Sequence, residues 1–221
     1  MNRGNRGNRG NHGSRGNHGS RGFTLIELTV VLAVIVTLAL ILTPSITNFI
    51  TDSRVARARN DVQTIAAAAV QFYKDNGFFP QWTAAVSGGP GTAANKVDLL
   101  ISPGNVPAVG TANTWTTGTT DTLAHQLLNN TPVYTVKTAT SQFGWNGPYL
   151  TSDIGADPWN NRYMVNVGLI DTTQGVQTSG GATKSAVWIV SAGPNGTIDT
   201  AYTQAVTIAL ITGDDLGTRI Q

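Results

Sequence analysis

The longest apolar tract in the chain runs from Phe23 to Leu42, FTLIELTVVLAVIVTLALIL, 20 residues with a single charge at Glu27. At 1.5 Å per residue a helix of that length spans about 30 Å, the thickness of a bilayer's hydrocarbon core. A domain of this size cannot enclose a helix that is apolar on every side, so the pattern predicts a membrane-spanning helix. Upstream, residues 1–22 form an Asn/Gly/Arg/Ser repeat with no apolar residue after Met1, a composition that predicts disorder. Downstream, Pro44 interrupts the helix without ending it. Val55, Val62, Ile65, Ala69 and Phe72 recur at helical spacing, while Arg57, Asn60, Asp61, Gln71 and Lys74 fall on the other face. Asp75-Asn76-Gly77, with Pro80 beyond, reads as a stop with glycine in the left-handed position. The pattern thus predicts one helix of about 53 residues, on the order of 80 Å long, bent at Pro44, apolar first and amphipathic afterwards.

The remainder reads as a small domain for the amphipathic half to lie against. Residues 81–141 hold thirteen threonines and few charges. A short helix is expected at Asp121–Asn129, a strand at Val133–Lys137, and otherwise a long surface loop. Arg162–Val167, Ala186–Ser191 and Ala205–Ile211 read as strands of an antiparallel sheet. The fold class is α+β: a long N-terminal helix packed on a small antiparallel sheet. Four segments follow: a basic leader (1–22), a transmembrane helix (23–43), the amphipathic half of the helix (44–77) and a globular domain (78–221) with the Thr-rich insert.

Charge sharpens the topology. The formal charge of +2 hides five arginines in the first 22 residues; without them 9 basic face 12 acidic residues, a net of −3. The basic leader stays cytoplasmic under the positive-inside rule, and everything after Leu42 is exported. An acidic body lacks the basic face of a nucleic-acid binder. The chain has no cysteine and three histidines, two of them in the leader. That excludes disulfides and thiolate sites and leaves His125 without companions for a triad or zinc site. Ser87-Gly88-Gly89-Pro90-Gly91 is glycine-rich but lacks the Gly-Lys-Ser/Thr of a phosphate loop. No residue pattern points to an enzyme.

Glu27 is the anomaly. A carboxylate inside a membrane helix costs about 2.5–3.5 kcal/mol on insertion scales, so something should offset it. A new α-amino group at Phe23, released by cutting after Gly22, is cationic near neutrality and can pair with the acid within one helix or between staggered copies.

The run Gly22-Phe23-Thr24-Leu25-Ile26-Glu27-Leu28, followed by an apolar helix, resembles the N-termini of the type IV pilin superfamily over residues 22–50. Pro44 stands where members carry a helix-kinking proline; Val36 stands where many have glycine, and the leader is long for the family. The resemblance implies cleavage between Gly22 and Phe23 by a membrane-embedded prepilin peptidase, N-methylation of Phe23, and pairing of Glu27 with the amine of a neighbouring subunit. It further implies a homopolymer whose helices form a filament core.

Further along, Gly147-Pro148-Tyr149-Leu150, Asp157-Pro158-Trp159-Asn160-Asn161-Arg162-Tyr163, Ser191-Ala192-Gly193-Pro194-Asn195-Gly196 and Gly213-Asp214-Asp215-Leu216-Gly217 follow in order. This series is similar to the major pseudopilin of type II secretion systems. Asp157-Pro158 and Asn160-Asn161 are turn formers, and Trp159 is expected to anchor a hairpin. The resemblance implies a subunit held in the inner membrane before assembly and in a periplasmic filament afterwards. Its partners would be minor pseudopilins and an inner-membrane assembly platform. It also implies a calcium ion in the last loops, with Asn195, Asp199, Asp214 and Asp215 as ligands, chemistry that suits oxygen-seeking Ca²⁺. The alternatives are a type IV pilus subunit for adhesion, motility or DNA uptake, and a non-polymerising anchored domain whose insert binds a partner.

Overall fold

The computed structural model describes residues 22–83, 95–110, 115–170 and 185–220. Leader residues 1–21 and the Ser87–Gly91 stretch lie outside the described residues. Two compact units divide the chain between Thr47 and Asn48.

Helix α1 runs Leu25–Asn76 with Pro44 inside it. It ends where the stop signal places it, on Gly77 at φ +80°, whose N–H donates to the Tyr73 carbonyl at 2.8 Å. In the first unit every described residue is exposed and apolar side chains face out all round. Its hydroxyls are turned inward: Thr29, Thr37, Thr43 and Thr47 donate to the carbonyls of Ile26, Val34, Ala39 and Pro44 at 2.7–3.0 Å. Such back-bonding lets a threonine sit in an apolar helix without an unpaired donor.

In the second unit, Val62, Ile65, Ala69 and Phe72 are buried and Asn60, Gln71 and Lys74 exposed. The stripe packs on a five-stranded sheet of order β3-β1-β4-β5-β7. Its strands are β1 (Leu99–Ile101), β3 (Thr120–Thr122), β4 (Met164–Val165), β5 (Trp188–Ser191) and β7 (Leu216–Arg219). A two-stranded ribbon joins β2 (Ala108–Val109) to β6 (Thr197–Ile198). The register Leu100↔Val165 and Val165↔Ile189 places these residues on the helix-facing side, together with Val187. Leu99, Met164, Trp188 and Val190 line the other face, against Trp115 and Ile198. The sheet is thus buried on both sides, which is why β5 reads as unbroken apolar sequence rather than as an alternation.

Several expectations are corrected here. The sheet is mixed, because β3 pairs in parallel with β1. The described parts of 81–141 are no surface loop: they supply β1, β2, β3, α2 (Leu123–Leu127) and the buried Trp82, Trp115 and Tyr134. α2 falls inside the expected Asp121–Asn129 helix, with the Thr122 side chain capping its first turn. The Val133–Lys137 strand is absent. Val133 sits at φ 60°, and Val136 makes only an isolated bridge to Trp145. Ring packing of Tyr134 against Phe72, Phe78 and Trp145 pins this stretch instead.

The Ala205–Ile211 strand is also absent. The Gln204 amide accepts the Leu210 N–H and donates to the Leu210 carbonyl at 2.6 and 2.9 Å, taking the place of a strand partner. Arg162–Val167 shortens to β4 because the buried Asn166 side chain takes over the ladder, accepting the Trp188 N–H and donating to the Ala186 and Tyr202 carbonyls. Trp159 is only half-buried; the anchor of its turn is the buried Asp157, whose carboxylate accepts the N–H groups of Trp159 and Asn161 and the Ser191 hydroxyl.

Phe72 ties helix to domain, fully buried with Phe78, Tyr134, Trp145 and Tyr149 edge-on around it. Phe72→Ala should cost about 3–5 kcal/mol of unfolding free energy in denaturant titration, against less than about 0.5 kcal/mol for Gln63→Ala on the exposed face.

Candidate functional site

The N-terminal site is built on one helix start. Thr24 precedes α1, and its Oγ1 accepts the Glu27 N–H at 3.2 Å. Glu27 reaches back: its Oε2 accepts the Thr24 N–H at 2.8 Å and the Thr24 hydroxyl at 2.9 Å. This is a reciprocal capping box, which satisfies donors that a helix otherwise leaves open. A carboxylate in the first turn also faces the positive end of the helix dipole. Glu27 is therefore not destitute in the isolated chain. The signal was present in the sequence as Thr24-x-x-Glu27 ahead of an apolar run, and the reading of Glu27 from membrane cost alone missed it.

The cap uses Oε2; Oε1 takes part in none of these bonds. Scission after Gly22 would leave the Thr24 amide and the cap unchanged and would place the new amine one residue away. Phe23 is 91% exposed, and Ile26, Val30 and Val31 around the acid are exposed too. Gly22 has open space: a Cβ built there meets nothing within 4 Å. Nothing in the described chain requires glycine at this position.

The second sequence-predicted site lies in the last loops. The β5–β6 turn and the residues before β7 close on each other: the Asn195 N–H donates to Asp214 Oδ2 at 2.9 Å. Asp215 Oδ2 accepts the N–H groups of Asp199 and Thr200 at 3.0 and 2.7 Å. The Asn195 amide stands 3.5 Å from Asp199 Oδ2. Glycine permits the closeness, since a Cβ on Gly213 would fall 2.2 Å from Asp199 Oδ2 and one on Gly193 2.2 Å from the Asp214 carbonyl. All four expected residues are thus brought together.

Their carboxylates are not equivalent. Asp215 is 5% exposed and its Oδ1 is buried without a partner. Burial pushes its carboxyl above the ordinary value; the Thr200 and Asp199 hydrogen bonds work against that, and the Asp199 charge adds to it. Asp214 Oδ2 is occupied by a loop N–H, and among the described residues no three acidic or histidine side chains converge on one point. An orphaned buried oxygen beside a second carboxylate fits a hard cation that also draws on carbonyls and water. His125, expected as an ordinary polar residue, sits on α2 with Nδ1 2.6 Å from Asp121 Oδ1.

Two outcomes follow. Thr24→Val removes the hydroxyl half of the cap, worth about 1 kcal/mol, and should raise amide exchange at Leu25–Leu28 several-fold without moving exchange in the second unit. Because the folded chain holds the Asp215 proton more tightly than the unfolded chain, stability from this group is full below its ordinary value of 3.8 and is lost as pH rises through the raised one. In metal-free buffer Asp215→Asn should therefore gain on the parent in thermal midpoint as pH climbs from about 4 to 7.

Against known proteins, the family model of the prokaryotic N-terminal methylation motif matches residues 17–43. No curated protein and no solved structure matches the chain. The matched residues take in Gly22, Phe23, Thr24 and Glu27 and most of the exposed apolar helix. The motif supports a type IV pilin-like prepilin, a membrane-anchored structural subunit processed by a prepilin peptidase and polymerised into a filament.

Proposed function

We propose that the chain is a structural subunit of a type II secretion pseudopilus, cut between Gly22 and Phe23, N-methylated at Phe23, and polymerised from the inner membrane to drive protein export. The observation that carries this is the helix from Leu25, exposed and apolar on every side, with one capped carboxylate at its start beside the cleavage position. Such a surface is satisfied by lipid or by copies of itself. Passage from one to the other exchanges equal apolar environments, so close packing and the charge pair set the difference. The Glu27 Oε1 left open by the cap would take the Phe23 amine of a neighbour, giving register. Pro44, which removes one helix hydrogen bond, would supply the bend.

The ordered C-terminal segments, and their role in this fold, favour the pseudopilus over the pilus. Asp157 braces one of them and the Asn195–Asp214 contact joins two others. In this reading the exported domain carries calcium in its last loops, with Asp215 Oδ1 and Asp199 as carboxylate ligands and Asn195 and Asp214 holding the two loops in place. Minor pseudopilins and the assembly platform are its further partners, and the domain stands in the periplasm.

Subunits from the native host should begin at N-methyl-Phe23 by intact mass, and Gly22→Ala should leave the leader attached in a folded protein. Glu27→Gln keeps a cap acceptor but removes the charge, so it should insert normally and fail to assemble. Loss of the chain should abolish export of secreted proteins; intact export with lost surface fibres would instead mean a pilus subunit.

Saturating calcium, at about 100 times its dissociation constant, should raise the thermal midpoint by about 5–10 °C. Chelator should reverse the rise and Asp215→Asn should abolish it. An unchanged midpoint in the parent would remove the metal from this reading.

A further inference from the structure

The segment between β6 and β7 is apolar on two faces. Along Val206-Thr207-Ile208-Ala209-Leu210-Ile211, Ala209 and Ile211 pack on the cluster behind the sheet, while Ile208 and Leu210 are 77% and 65% exposed. Its own fold uses only the inner face. The outward pair is held out, because the backbone is pinned at several points. Gln204 brackets the Leu210 N–H and carbonyl, the Ile208 N–H closes a turn onto the Ala205 carbonyl, and Arg219 Nη1 donates to the Val206 carbonyl at 2.9 Å. Two large aliphatic side chains fixed in water are unfavourable for the single chain, and such a patch marks a contact surface.

A second apolar patch stands at the far end of the buried stripe of α1. The Phe143 ring, 52% exposed, lies over the helix end, where a Cβ built on Gly77 would meet it at 3.4 Å. Val136, also exposed, belongs to the stretch bonded to this one: the Trp145 N–H donates to the Thr135 carbonyl and the Lys137 N–H to the Trp145 carbonyl. This surface is pinned as well, by the Gly144 N–H on the Asp75 carbonyl at 2.8 Å and by Lys137 on the Asp75 carboxylate at 3.4 Å. The first patch sits at the other end of the same stripe, since Ile211 lines a groove with Arg59, Val62 and Gln63. Gly77 lies 14 residues beyond Gln63 (77 − 63), about 21 Å along the axis. Neither patch can cover the other within one chain.

We propose that the two patches cover each other between copies: Ile208 and Leu210 of one chain dock on Phe143 and Val136 of the next. The inference rests on assembly of the chain into a filament, to which the methylation motif points, and not on the kind of filament. The symmetry of such an assembly selects the pairing. A patch that meets its own image makes a closed pair. Two unlike patches joined head to tail leave one of each free at the ends, so the contact propagates. An open fibre therefore calls for two different surfaces at separate places on the subunit, and the second unit carries such a pair. Because both backbones are already pinned, the contact orders little that was free.

The test exploits a chain without cysteine. Leu210→Cys and Phe143→Cys are placed singly and together in the full chain in its native host, and the fibres are treated with a short bis-maleimide. The double variant should give a ladder of multimers, a mixture of the two single variants dimers only, and each single variant alone monomers. Val106→Cys, similarly exposed but outside both patches, should give no ladder with Leu210→Cys. Leu210→Lys and Phe143→Glu should each cut the assembled fraction about tenfold, and the two together should recover most of it through opposite charge. Both positions are exposed, so the thermal midpoint should stay unchanged and separate lost assembly from lost fold. Fibres without the link between positions 210 and 143, links between like positions, or a link to a different protein would each overturn the contact and leave the filament reading intact. No fibre from the parent chain would instead overturn the filament reading, and this contact with it.

Discussion

A carboxylate carried on an apolar helix has to be satisfied in every state through which the chain passes. In the single chain the partner is local: Thr24 gives its amide and its hydroxyl to Glu27 Oε2 and takes the Glu27 N–H in return. This lowers the cost of the acid without any other molecule, because a cap bond persists wherever the helix begins. It also leaves Oε1 open, so a cation can be added without breaking the cap. A switch that required the cap to break first would oppose assembly by the strength of the bonds it had to lose. Here a second interaction would add to the first.

The second unit solves a related problem by other means. Its strands are two to four residues long, too short for ladders alone to hold a sheet. Polar side chains extend them. Asn166 continues the β4–β5 pairing, Gln204 stands in for a partner to Leu210, and Asp157 ties a turn to Ser191 at the end of β5. Each is a buried or closely held amide or carboxylate whose acceptors and donors are spent on backbone groups, the condition under which buried polar groups can be afforded. The two faces of the sheet are then filled separately, one by the stripe of α1 and the other by Trp115, Ile198 and their neighbours.

This explains what could be read in advance. The helix was legible from end to end, since a 20-residue apolar tract and a clean stripe at Val62, Ile65, Ala69 and Phe72 are long-range patterns. Its stop at Gly77 was legible as well. The Gly22–Leu28 run was visible as a motif, whereas the cap lies in the spacing of Thr24 and Glu27, which the membrane cost of the acid does not reveal. The sheet was half legible. Strands buried on both faces lose the alternation that marks a strand, and Leu99–Ile101 is three apolar residues in a threonine-rich tract. Val133 and Ile208 show the converse: β-branched residues read as strands, but both are exposed, 67% and 77%, because their N–H groups close local turns onto the Asn130 and Ala205 carbonyls. In the last loops the four residues singled out by sequence do lie together, yet only the fold distinguishes the orphaned Asp215 oxygen from the occupied ones.

Gly22 shows how a requirement can be assigned by exclusion. A glycine is needed where the backbone is left-handed or where another group comes too close for a Cβ. At Gly77 the first reason holds, and at Gly193 and Gly213 both do. At Gly22 a Cβ would meet nothing within 4 Å, so the second reason does not apply there. A demand for a residue without a side chain can also come from outside the described chain. A protease that draws an extended strand into a narrow cleft imposes that demand on the residue before the scissile bond. The methylation motif that spans residues 17–43 takes in this glycine and the Phe23 that follows it. The same comparison sets Gly193 and Gly213, which serve the fold of their own loops, apart from Gly22, where no neighbouring group makes such a demand.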